Sequence, residues 1–173
     1  MAIDRRDIFN GPVWPWPGRS ATGSVILPLG TDLLDHLPSR WALPEAALVR
    51  KSEVHLTLLS TKEAEALAAR LPEPEWAKAF CTESWAMTPL ERFDLLREER
   101  PPEPTRFSII RHVDCPSLNA FRERLAQASG LALAATLPHV TLYTAGHERG
   151  IGLASLADHE RFRMRTLALA ECP

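Results

Sequence analysis

Cysteine is scarce in this sequence. Three thiols in 173 residues, Cys81, Cys115 and Cys172, are odd in number, far apart and without a CxxC pair, so neither a disulfide framework nor a zinc ribbon is expected. Reduced cytoplasmic thiols are the simple reading. Charge of one sign is missing as well: 20 basic and 22 acidic residues leave a formal net charge of -2, which offers no broad positive field to duplex DNA or long nucleic acid. A small anion or a nucleic-acid end still fits. No run approaches the roughly 18 apolar residues of a membrane span, and the opening MAIDRRDIFNGPVWPWPGRS holds no apolar leader stretch. A cytoplasmic, monomeric protein without a membrane partner is therefore expected. What is present is a chain 45% hydrophobic, enough for one core or for two small lobes sharing one.

Residues 1–19, rich in Pro, Gly and Trp, read as an irregular arm. Ser24 to Leu29 (SVILPL) is a strand with its proline near an end or edge. The proline-broken segment from Asp32 to Glu53 allows only short helices. Ser60-Thr61-Lys62-Glu63 has capping-box spacing, and Ala64, Leu67, Ala68 and Leu71 give the following helix an apolar stripe. From Pro72 to Pro104 the chain reads as interrupted helix, with Thr88-Pro89-Leu90-Glu91 as a second capping box leading into Phe93 and Leu96. The run EERPPEPTR, Glu98 to Arg106, marks a boundary between halves, giving lobes of about 20–97 and 105–173. A strand over Arg106 to Val113 follows, then a helix from Pro116 to Ser129 stopped by Gly130, a short helix near Ile151 to Glu160 and a last strand near Arg165 to Ala170.

Two apolar runs carry the same polar pair. In Val54-His55-Leu56-Thr57-Leu58 alternation puts His55 and Thr57 on one face and Val54, Leu56 and Leu58 on the other. In Pro138-His139-Val140-Thr141-Leu142-Tyr143, 84 residues later, alternation puts His139, Thr141 and Tyr143 together. Ile26 precedes His55, and Ile110 precedes His139, by the same 29 positions, so the halves read as copies of one unit: strand, helical segment, His-x-Thr strand. With six histidines and 21 Ser or Thr residues, chance yields about 0.7 His-x-Ser/Thr matches. One match says nothing; two identical ones at one place in a repeat point to a site.

The tetrapeptides His55-Leu56-Thr57-Leu58 and His139-Val140-Thr141-Leu142 make the chain resemble the two-histidine phosphoesterase superfamily, which includes 2′,3′-cyclic nucleotide phosphodiesterases and 2′-5′ RNA ligases. The resemblance implies an α+β fold, bilobal with a pseudo-twofold repeat, in which two antiparallel sheets flank a central cleft and helices pack outside. It implies that one histidine, by family custom His55, is the acid and the other, His139, the base. Where many ligase-like members carry a basic residue shortly after the second motif, this chain has Thr144, and Ser60 stands at the matching place after the first.

The chemistry follows from the residue types. Imidazoles titrate near 6.5, so one can be neutral while a phosphate keeps its partner protonated. Thr57 and Thr141, each on its histidine's face, can donate to non-bridging phosphate oxygens. Hydrolysis of a 2′,3′-cyclic phosphate on a nucleotide or RNA end is the expected reaction, with no cofactor; ligation at a 2′-5′ linkage and non-catalytic nucleotide or phosphate binding are the alternatives. Tyr143 is a further candidate for substrate contact, and Trp14 and Trp16 are candidates for base stacking. Trp41, Trp76 and Trp85 read as packing. No metal site is expected, because His36, His112, His147 and His159 form no H-x-H or HExxH and have no ligand at close spacing; they read as surface or packing residues, with one of Arg111 and His112 able to face the cleft from its strand and a solvent-facing role the preferred reading.

Overall fold

In the computed structural model, residues 14–168 and 171 are described. They form an α+β protein with two antiparallel sheets, one of six strands. The chain runs β1 (Val25–Leu29), a short 3-10 turn (Thr31–Leu33), β2 (Arg40–Ala42), β3 (Ala47–Arg50), β4 (Val54–Leu59), α1 (Thr61–Ala68), α2 (Glu73–Thr82), β5 (Thr88–Glu98), β6 (Arg106–Asp114), α3 (Pro116–Ser129), β7 (His139–Ala145), α4 (Leu156–Phe162) and β8 (Arg163–Thr166). Strand β1 pairs with β4, and the larger sheet has the order β2-β3-β7-β6-β5-β8. Among the described residues no helix is long and apolar enough to cross a membrane.

Several local signals act as their chemistry dictates. The Ser60 hydroxyl accepts from the backbone of Glu63 while Glu63 answers to the Ser60 backbone, a complete capping box at the start of α1. Gly130 ends α3 at φ 70°, a left-handed position that costs glycine nothing. Thr88-Pro89-Leu90-Glu91 behaves otherwise: it opens strand β5, not a helix. Four spaced residues mimic a cap, but Phe93 and Leu95 against Asp94 and Leu96 supply two buried faces that a central strand fills, and pairing with β8 decides the matter. Pro89 sits at the strand's start, where its missing N–H costs little.

The segment from Asp32 to Glu53 also differs from expectation. Apart from the 3-10 turn it holds two strands, β2 and β3, paired with Trp41 opposite Leu48. The corresponding stretch before the second motif strand is the 14-residue helix α3. The two halves thus share a motif strand and differ in what precedes it.

Packing divides the chain into two units, each built from three stretches. One takes the described part of Met1–Leu27 together with Thr57–Pro89 and Val113–Ala134. Its core is aromatic: Phe80 stacks on Trp85 at 4.6 Å, and Phe121 meets both edge-on. Here Arg122, 6% exposed, donates to Leu58 O at 2.8 Å and Ala134 O at 2.7 Å and pairs with Glu63 Oε1 at 2.5 Å. That clamp joins α3 to the end of β4 and to the α1 cap.

The other unit, Pro28–Leu56, Leu90–His112 and Ala135–Pro173, contains most of the larger sheet. Leu96 and Ile110 on the sheet pack against Ile151 and Leu153, with Phe162 beside them. Trp41 packs edge-on to both Tyr143 and Phe93. The expected last strand is β8, ending at Thr166; Cys172 and Leu169–Ala170 lie outside the described residues.

Candidate functional site

Strand β4 buries Val54, Leu56 and Leu58 and leaves His55 and Thr57 half-buried, the alternation the sequence predicts. The apolar face holds the strand, so the polar pair is presented on the other side. His55 belongs to the unit that also contains all of β7. Lys51, four residues before it, donates its backbone N–H to Leu142 O at 2.8 Å, and its ammonium reaches Glu148 O at 2.8 Å. The chain entering β4 is therefore pinned to β7 and the turn after it.

On β7, His139 lies opposite His112 and Thr141 opposite Ile110 in the antiparallel register with β6. The register then slips by one residue, leaving Leu142 without a partner on β6 and setting Tyr143 opposite Ile109. A one-residue insertion reverses the alternation beyond it. Tyr143, expected on the histidine face, consequently leaves on the opposite face from Thr141. It is fully buried, its hydroxyl donates to Pro38 O at 2.8 Å, and its ring meets Trp41; its side chain is taken up in packing.

The segment from Gly150 to Phe162 packs onto the sheet beside His139 and Thr141, which stay half-buried. Ile151 donates its N–H to Ser108 Oγ at 3.0 Å, which draws the segment across β6. Gly150 lies so close to Thr141 that a Cβ there would come within 2.8 Å of Thr141 Oγ1 and 3.0 Å of its methyl. Glycine is needed for space. For the cyclic-phosphate hydrolysis expected from the sequence, Gly150→Ala should turn or displace the Thr141 side chain and lower kcat/KM about tenfold or more, while Gly152→Ala, with nothing within 4 Å of its added Cβ, should leave the rate unchanged. Equal rates for the two variants would remove Thr141 from the site.

His139 is half-buried, and its Nδ1 lies 2.7 Å from Leu137 O. A carbonyl only accepts, so Nδ1 carries the proton and Nε2 of the neutral ring keeps its lone pair. Burial pushes His139 down to about 4; the Leu137 hydrogen bond opposes this, and the neighbouring imidazoles of His112, His159 and His55 add to it. The interaction with His55 places the two motif histidines within electrostatic reach of one another. His55 is also held below its ordinary value by burial, with Glu53 pulling it up and Lys51 pressing it down. The environments thus separate the pair, with His139 deeply depressed and His55 supported by a carboxylate.

The His139 shift has a thermodynamic sign. An unfolded imidazole binds its proton near 6.5 and the folded one only near 4, so in that window the unfolded state carries more protons and stability falls as pH falls. Wild type is expected to lose more Tm between pH 7 and pH 5 than His139→Asn, measured by thermal unfolding in matched buffers. An identical loss in both would show that His139 titrates as an exposed ring.

Beside this pair stands a group that spacing along the chain does not reveal. Asp94 on β5, His112 on β6 and His159 on α4 are buried together. Asp94 Oδ2 lies 2.7 Å from Nε2 of His112 and 2.7 Å from Nε2 of His159, and Oδ1 accepts from Thr166 Oγ1 at 2.6 Å. Thr166 is the register partner of Asp94 across β5 and β8. Burial pushes the Asp94 carboxyl up, but hydrogen bonds from Thr166, His112 and His159 hold it below its ordinary value. Burial pushes His112 down against the pull of Asp94. His112 is therefore no solvent-facing residue, and of the surface and packing readings of His159 the packing one holds. Arg111, by contrast, is partly exposed, donates to Leu90 O at 2.8 Å and lies over the Phe93 ring. The signal for the triad was the alternation Ser108, Ile110, His112, legible as a shared face only once β6 is known to pair with β7.

The remaining expected residues lie in the other unit. Thr57 follows His55 by two positions along β4 on the same half-buried face. Trp16 packs at 5.4 Å from Phe80 and 6.4 Å from Phe121, its Nε1 directed at Glu73. Trp14 is half-buried, with an indole N–H that finds no acceptor among the described residues. Comparison with known proteins returns no matching family model, no matching curated protein and no matching solved structure.

Proposed function

We propose that this chain is a two-histidine phosphoesterase that hydrolyses 2′,3′-cyclic phosphates of nucleotides or RNA ends. One observation carries the reading: His139 is a neutral ring with Nδ1 occupied by Leu137 O, within electrostatic reach of His55, the histidine of the other motif. Such a ring is a base with its lone pair free. Water attacking phosphorus gives its proton to His139 Nε2, the bond from phosphorus to one ribose oxygen breaks, and His55 protonates that departing oxygen. The bound phosphodiester, an anion, favours the imidazolium of His55 and so loads the acid when substrate arrives.

Thr57 and Thr141 donate their hydroxyls to the non-bridging oxygens, where negative charge grows as water adds. Two imidazoles complete both proton transfers, so the reaction as proposed draws on no metal or cofactor. The same proposal includes the family's two-lobed pseudo-twofold plan, supported by the equal 29-residue offsets from strand to motif histidine in both halves. A cytoplasmic site of action belongs to it as well.

The test is a panel of 2′,3′-cyclic mononucleotides and oligonucleotides with cyclic-phosphate ends, assayed with EDTA present. Conversion to phosphomonoesters is the expected result. Binding without conversion of any member would replace hydrolysis by a sensing role.

A further inference from the structure

Asp94, His112 and His159 take no part in the paired-histidine chemistry, yet the carboxylate is 0% exposed and the imidazoles 2% and 7%. Apolar side chains of similar volume often fill such a space at no greater cost, because a buried carboxylate gives up its hydration and here regains partners only through three hydrogen-bond donors and one longer ion pair. Among the described residues one guanidinium pairs with this carboxylate at longer range: that of Arg92 stands 3.7 Å from Asp94 Oδ2, with its side chain 48% exposed. The two imidazoles approach from perpendicular planes, 89° apart with centroids at 5.5 Å, and both aim Nε2 at the same carboxylate oxygen.

We propose that Asp94 Oδ2, His112 Nε2 and His159 Nε2 bind one divalent first-row transition ion of the zinc type. Three elements far apart in the chain deliver these atoms to within 4.8 Å of one another. An ion about 2.0–2.2 Å from each ligand in tetrahedral geometry needs ligand separations of about 3.3–3.6 Å, so the N···O contacts of 2.7 Å open by somewhat more than half an ångström. Two imidazole nitrogens and one carboxylate oxygen suit zinc, iron, cobalt or manganese; calcium and magnesium prefer all-oxygen sets, and no thiolate is present for softer ions. Thr166 Oγ1 on the second carboxylate oxygen fixes the ligand's orientation, the role outer partners play around metals. Binding moves each ring's proton from Nε2 to Nδ1 and leaves the imidazoles neutral. The ion would tie β5 and β6 to α4.

The experiment uses the full chain stripped with a chelator, loaded with excess Zn²⁺, desalted and analysed for bound metal. Wild type and the exposed-histidine control His147→Gln are expected to retain about one equivalent, and His112→Gln and His159→Gln less than about a tenth of that. Loading with Co²⁺ should give visible d–d absorption that His159→Gln lacks. Because glutamine preserves a hydrogen-bonding side chain and the wild-type measurement needs no variant, misfolding cannot mask the answer. Retention of no metal by wild type, or retention by His112→Gln and His159→Gln equal to that of wild type, would make the triad a hydrogen-bond network only. Bound metal is read directly, so the outcome is independent of whether the motif histidines turn over a cyclic phosphate.

Discussion

Replacing His139 by alanine is expected to lower kcat/KM for a 2′,3′-cyclic nucleotide by about 10²–10⁴-fold, the range that loss of a positioned general base produces. His139 opens β7, where its side chain is half-buried while Val140 and Leu142 hold the strand in the core. Removing the ring breaks the hydrogen bond to Leu137 O and leaves the strand's apolar anchors untouched. Circular dichroism should therefore be unchanged while the rate collapses. His139→Asn, which keeps a polar side chain but no basic nitrogen, is expected to be equally slow. If either protein kept its rate within about threefold of wild type, the base would have to be another group.

The second large effect is on stability. Arg122→Met is expected to cost about 3–5 kcal/mol, the usual consequence of removing one partner from a buried ion pair. Three acceptors lose their donor: Leu58 O at the end of the first motif strand, Ala134 O, and the Glu63 carboxylate. Burial pushes Glu63 up, while Arg122 and the Ser60 backbone and hydroxyl hold its carboxyl below the ordinary value. A carboxyl depressed by folding contributes stability above its unfolded value and loses it as pH falls through the folded one. The deficit of Arg122→Met should accordingly shrink in acid. Adding Glu63→Gln to Arg122→Met should recover part of the loss, since it removes the orphaned charge. Urea unfolding at pH 7 measures all three proteins; a single-variant loss under about 1 kcal/mol would show the clamp to be incidental.

What the sequence made legible was local. The capping box at Ser60, the glycine stop at Gly130 and the alternation around His55 are each decided within a few residues, and each holds in the fold. Strand β5 was not legible, because Thr88 to Glu91 carries a helix-start spacing while the choice is made by β8 and the two buried faces. Tyr143 differs from expectation for a related reason: Leu142, a single residue without a register partner on β6, shifts the register and turns the tyrosine to the far face. The Asp94, His112 and His159 cluster was hidden more deeply, since its members come from two strands and a helix. Ligand-spacing rules search along the chain, and sheet pairing brings ligands together across it. Gly150 reads as a loop residue until Thr141 is seen beneath it.

Two imidazoles acting as base and acid are the core of the proposed mechanism, and the pH dependence of kcat/KM tests them most directly. The profile should be taken from about pH 3 to 9 in EDTA, on one cyclic nucleotide, for wild type, His55→Ala and His139→Ala. Wild type is predicted to give a bell, with an acid limb set by protonation of His139 and an alkaline limb set by deprotonation of His55. Each variant's residual rate should lack the limb of its missing ring. A wild-type profile flat across this range, or a bell that survives intact in both variants, would contradict the paired-histidine mechanism.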